Sequence, residues 1–187
     1  MNSIVVNYVL ENPITSDNIR SIIDGCISKK YKIHLNFYDF RLNKNLQSII
    51  DDIKVDKNTV IKIFEKDYED KKDGTDIIIN HCLQFSDSLS MIILNSYSII
   101  NKGALDQIDF SLFTNKTLGF LYTDYTINKI RCYLLSHIGG INMNVPIIFW
   151  SMPKVIEHLS QDTLKNIVSK SAGIHIPESF FSINNYE

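Results

Sequence analysis

The first hundred residues alternate between two hydrophobic periods, and this alternation limits the possible folds more than any other feature. "SIVVNYV" (3–9) is a short β-branched run of the kind that forms a buried strand. Thr15 or Ser16 can then cap a helix, because Ile19, Ile22, Ile23, Cys26 and Ile27 recur along one helical face. "YKIHLNFYDF" (31–40) returns to strand alternation. Leu46, Ile49, Ile50 and Ile53 mark a second amphipathic helix, and "TVIKIF" (59–64) a third strand. A charged loop (66–75) and a short helix around "DIIINHCLQF" precede a fourth strand, "SMIILNSYSI" (90–99). Strand–helix–strand repeats of this kind require right-handed crossovers and a mostly parallel sheet.

The second half is richer in strands and less regular. A helix started by Asn101, with Leu105, Ile108 and Leu112 turned inward, leads to a fifth strand, "TLGFLYTDYTI" (117–127). "KIRCYLLS" and "VPIIFW" read as further strands around the turn-rich "HIGGINMN". "PKVIEHL" and "DTLKNIVSKSA" read as helices, and "GIHIPESFFSI" as a closing extended segment. The 187 residues suffice for one α/β domain with a real core.

A net charge of −2 without a basic stripe gives no reason to expect a nucleic-acid partner. Three dispersed cysteines make neither a zinc knuckle nor a redox pair. The amino terminus shows no secretory signal. No apolar run approaches the ~18 residues that span a bilayer. A soluble, cytoplasmic protein is the expectation. Isoleucine, asparagine and lysine are frequent, as in products of AT-rich genomes.

Open α/β sheets bind ligands beyond the carboxyl ends of their strands. Asn7 and Tyr8 end the first strand, Asp39 the second, Asn95, Ser96 and Tyr97 interrupt the fourth, and Asp124 ends the fifth. Asp162 stands at a helix start. This order, with "FYDFRLNKNLQSII", "MIILNSYSIINKGALDQIDFSLFTNKTLGFLYTDY" and "QDTLKNIVSKSAGIHIPESFF", resembles the GT-A-fold glycosyltransferases of family 2. The resemblance is strongest over 89–127 and 161–181.

The resemblance implies a single GT-A-like domain with a mixed, mostly parallel sheet, in which 1–127 is the nucleotide-binding half and 128–187 the acceptor side. It implies a nucleotide-sugar donor, UDP-linked, and transfer to an acceptor of unknown identity. Tyr8, Asp39, Asn95 and Tyr97 fall at nucleotide-binding positions, and Asp162 at that of the catalytic base. The departures matter as much. The family's DxD carboxylates, which hold a divalent cation on the diphosphate, are replaced by Asn95-Ser96-Tyr97. Asn95 offers one neutral carbonyl, and a tyrosine phenol stays protonated at neutral pH. No metal-binding residue is therefore assigned. The acidic pair ahead of the last helix reads Gln161-Asp162, so one carboxylate survives.

Each residue also has a structural reading. Asp39 can cap a turn, and Asp162 is favoured at a helix amino end by the dipole alone. Asp124, His34, His81 and His175 read as structural. Lys66, Lys71 and Lys72 could meet a diphosphate, although acidic residues interleave them. Two functions stay open. One is a glycosyltransferase with little or no metal dependence. The other is a catalytically degenerate domain of the same fold, a structural or interaction module with protein partners, such as a phage or viral virion component.

Overall fold

A computed structural model of the chain describes residues 1–39, 43–65, 74–127, 129–132, 148–160 and 162–183. Nearly all of the charged loop with its three lysines, the "HIGGINMN" stretch, His137 and Gln161 lie outside these residues.

The first half follows the expected alternation. Strand β1 (Ser3–Leu10) is followed by α1 (Ser16–Cys26), β2 (Lys32–Asp39), α2 (Leu46–Asp51), β3 (Thr59–Glu65), α3 (Gly74–Cys82) and β4 (Ser90–Asn95). Helix α1 starts where Thr15 accepts the Asn18 amide at 3.2 Å, and Ile19, Ile22, Ile23 and Cys26 are fully buried. The second half contributes β5 (Ser98–Ile100), α4 (Ala104–Gln107), β6 (Leu118–Ile127), β7 (Ile130–Cys132), β8 (Ile148–Ser151), α5 (Met152–Glu157), α6 (Thr163–Lys170) and β9 (Ala172–Ile183).

The strands form one mixed sheet in the order β3-β2-β1-β4-β8-β6-β9-β5, with β7 paired to β6. β1, β2, β3, β4, β6 and β9 point one way, and β8, β5 and β7 point the other. Strand alternation sorts side chains onto two faces. Ile4, Val6, Tyr8 and Leu10 join α1, α2 and α4 in one core, while Val5 joins α3, α5 and α6 in the other. Among the described residues, no helix is long and apolar enough to cross a membrane.

Two expectations fail. Residues 90–99 are not one strand, because the chain turns at Ser96 and Tyr97. β5 then pairs with β9 at the far edge of the sheet. The helix expected after Asn101 shrinks to α4. Asn101 spends its side chain on β9, donating to the Ser179 carbonyl at 3.0 Å and accepting from Ser182 at 2.8 Å. Asp109 then starts a 3-10 turn, Phe110–Thr114, by accepting the Ser111 amide at 3.1 Å. This turn buries Phe110 and Phe113 and leaves Leu112 40% exposed.

A polar knot crosses the parallel strands. Asn7 donates to the Ile92 carbonyl at 3.1 Å and to Cys82 Sγ at 3.3 Å, and accepts from Asn36 at 3.0 Å. Asn7 and Asn36 are fully buried.

Helix α1 also meets β5 closely. A Cβ at Gly25 would stand 1.9 Å from the Ile100 carbonyl oxygen, so backbone would have to move. Gly25→Ala should destabilise the fold by about 1–3 kcal/mol, the usual cost of overpacking. That corresponds to several degrees of melting temperature for a chain of this size. A variant that melts with the wild type would show that this contact has slack.

Candidate functional site

The carboxyl ends of β1, β2, β3 and β4 lie side by side. Asp39 is opposite Leu10 on one side and Glu65 on the other, and Asn95 is opposite Val9. The segment after β1 stitches these ends together. The Ile14 amide donates to Asn43 Oδ1 at 2.9 Å, and Asn43 Nδ2 donates to Asp39 Oδ1 at 3.2 Å. On the other flank, Asn12 Nδ2 donates to the Tyr97 hydroxyl at 2.8 Å. From α1, Asn18 Nδ2 donates to the Ser96 carbonyl at 3.3 Å. Asp39, Asn95 and Tyr97 thus share one end of the sheet. Asn12, Asn18 and Asn43 were not singled out from the sequence. The only hint of the first was its place in "ENP", directly after a strand.

Tyr8 is not part of this group. Alternation turns it into the core, where it has no exposed surface and its ring stacks on Phe37 at 5.9 Å. Burial also pushes its phenol above the usual range. It has no surface for a nucleotide to touch.

Asn95 closes the turn after β4. Its Oδ1 accepts the Tyr97 amide at 3.1 Å and the Ser98 hydroxyl at 2.7 Å. This Asx-type arrangement uses the one oxygen that could have faced a cation. A hard divalent ion needs several oxygen ligands, preferably carboxylates. Asn95, Ser96 and Tyr97 do not fit that requirement. Among the described residues, no three of His, Cys, Asp and Glu gather as a metal would require.

Asp162 precedes α6. That helix ends where β9 begins, and Ile167 packs over Gly119 near the start of β6, so its amino end points toward the carboxyl end of the sheet. The Asp162 carboxylate is exposed and pairs with Lys165 at 3.1 Å. Its hydrogen bonds do not join it to Asp39 or Asn95.

A second polar pair stands on the neighbouring strands. Asp124, fully buried on β6, lies 2.9 Å from His175 Nε2 on β9, and the Tyr122 ring stacks on the imidazole at 4.9 Å. In the sequence both residues read as structural and stand far apart. Only the β6–β9 register, Tyr122 opposite His175, brings them together. His34 and His81 do pack as structural residues, against Phe85 at 4.5 Å and Phe64 at 4.7 Å.

The Asn95 turn can be tested directly. Asn95→Ala removes the acceptor of two hydrogen bonds and should cost about 1–2 kcal/mol in urea denaturation. Asn95→Asp, which keeps an oxygen in place, should cost less. Equal stability of Asn95→Ala and wild type would show that the turn is held by other contacts.

No protein-family model matches the sequence. No curated protein is similar to it at a significant level. Solved structures are. Staphylococcus aureus TarS (residues 1–349, with UDP-GlcNAc) superposes with a TM-score of 0.60 at 11% identity, over 100% of this chain and 59% of that one. The same protein with UDP gives 0.63 at 12% identity, over 98% and 60%. The mannosyltransferase PcManGT of Pyrobaculum calidifontis, with GDP-Man and Mn2+, gives 0.60 at 11% identity, over 99% and 57%. The chain thus spans about three-fifths of the length of these proteins. At such identities the likeness speaks for the fold alone: the chain is a mixed α/β domain with a GT-A-like glycosyltransferase fold.

Proposed function

We propose that this domain binds a nucleotide-sugar at the carboxyl ends of β1, β2 and β4 and transfers the sugar to an acceptor hydroxyl. The observation that carries the reading is the convergence of Asp39, Asn43, Asn12 and Tyr97 on the end of the sheet where α/β folds bind ligands. Solved structures of the same fold contain UDP, UDP-GlcNAc and GDP-Man. Asp39 is the group proposed to meet the base, and Asn95 and Tyr97 line the diphosphate side. Residues 1–127 form the nucleotide half and 128–187 the acceptor half. Asp162, at the start of α6, is the acceptor-side carboxylate that the resemblance implies as base. Because the end of β4 does not fit a cation, donor binding is proposed to need little or no divalent metal.

The turn formed by Asn95 supports a second reading. An oxygen committed to Tyr97 and Ser98 serves structure, as expected of a domain that kept the fold, lost the chemistry and now acts as an interaction module.

Titration with UDP, GDP, UDP-GlcNAc and GDP-mannose, with and without manganese, separates the two by melting temperature. Ligand at a hundred times its Kd stabilises by about 2.7 kcal/mol, a shift of several degrees. The transferase reading expects a shift that does not require manganese and that Asp39→Asn weakens at least tenfold in apparent Kd. No shift with any nucleotide would overturn it in favour of the interaction module.

A further inference from the structure

We infer that His175, held by Asp124, is the proton acceptor of this site in place of Asp162; the inference rests on the transferase reading above. β6 and β9 run parallel with Tyr122 opposite His175. The register then jumps, so that Thr123 faces Ile176 but Asp124 faces Ser179. Asp124 lies two residues along β6 from Tyr122, the residue opposite His175, and its Oδ1 stands 2.9 Å from His175 Nε2. Asp124 has no exposed surface, whereas the His175 side chain is 31% exposed. A carboxylate taken out of water needs hydrogen-bond donors, and an imidazole beside it supplies Nε2–H. That bond leaves the lone pair on Nδ1, for which there is no protein partner among the described residues. The Tyr122 ring, stacked at 4.9 Å and 19°, fixes the imidazole plane. A fixed imidazole, a buried carboxylate on one nitrogen and an open second nitrogen are the elements of an oriented general base.

Asp162 lacks these elements. Its carboxylate is 61% exposed and pairs with Lys165 at 3.1 Å. Both candidates belong to the same side of the sheet, since Tyr122 shares a core with Leu164 and Ile167 of α6. The choice between them is therefore one of chemistry. In the step proposed, the acceptor O–H gives its proton to Nδ1 and its oxygen forms the new bond to the anomeric carbon. The bond from that carbon to the diphosphate oxygen breaks, and its electron pair leaves with the nucleoside diphosphate. Asp124 stabilises the imidazolium that forms. Among the described residues, β6 also carries the titratable Tyr122 and Tyr125 and β9 carries Glu178, while α6, which packs on β6, carries Lys165 and Lys170 with Asp162 at its start. β5 has none, and Asp106 of α4 is engaged by Ser28 and the Lys29 and Lys30 amides.

The test uses the full chain and whichever donor shifts its melting temperature. Release of nucleoside diphosphate is followed across pH, with water as acceptor. His175→Gln keeps a donor nitrogen near Asp124 but no base. It should lose about 100-fold or more in turnover, the usual share of a general base, with nucleotide binding unchanged. Asp124→Asn should lower turnover, because the imidazole loses the carboxylate that orients it. Nitrogen-15 spectra of wild-type His175 should show the Nε2–H tautomer at neutral pH, and those of Asp124→Asn should show a changed tautomer balance. Several results would overturn the inference while leaving the binding reading intact: undiminished turnover in His175→Gln, a loss in Asp162→Asn alone, an Nδ1–H tautomer in the wild type, or nucleotide binding without any turnover. Absence of nucleotide binding fails the site reading itself and takes this inference with it.

Discussion

Only Ser96 and Tyr97 separate β4 from β5, yet β8, β6 and β9 lie between those strands in the sheet. The sheet must therefore curl until its far edge returns to the end of β4. Much of the architecture follows from that closure. It seats Gly25 of α1 on the Ile100 carbonyl, and brings Phe149 of β8 within 5.6 Å of Phe181 on β9. It also determines what Asn95 does, because a reversal this tight needs a side-chain acceptor for the amide that follows. Structure and metal binding compete for the same oxygen, and here structure has it.

The convergence at the carboxyl ends has a similar economy. The Asn12–Ile14 segment lies between the ends of β2 and β4; Asn12 donates its side-chain amide to the Tyr97 hydroxyl on one flank, and the Ile14 backbone amide donates to the Asn43 side chain on the other. Neutral amides can donate and accept at once, so they tie neighbouring loops without collecting charge. On the proposed reading, asparagine and tyrosine would place a diphosphate by directional hydrogen bonds.

The parallel half was legible in the sequence because its signals are local. Ile19, Ile22, Ile23 and Cys26 show the helical period, and "SIVVNYV" the buried strand. The hundred-residue alternation of such segments nearly dictates the topology. Asp39 could be placed at a strand mouth for the same reason. What could not be read depends on contacts between distant segments. Tyr8 sits two residues before the strand end, and which face it takes depends on the neighbours that cover that face. "MIILNSYSII" has strand composition throughout, and its break was visible. That the chain reverses there and joins another part of the sheet depends on β9, some eighty residues later. Asn101 looks like a helix cap until Ser179 and Ser182 are seen to use it. The pairing of Asp124 with His175 is set by the register between β6 and β9, which no local period encodes.

The polar knot at Asn7, Asn36 and Cys82 bears on how the folded state can be observed. Burial pushes the Cys82 thiol up to about 12 and holds Cys26 well above the usual thiol range, so neither is a nucleophile while its core is closed. Cys26 belongs to the core on one face of the sheet and Cys82 to the core on the other. The chain therefore has a built-in reporter in each layer. The rates at which the two sulfurs become alkylated would time the separate opening of the two halves of the sandwich, without adding a label or changing a residue.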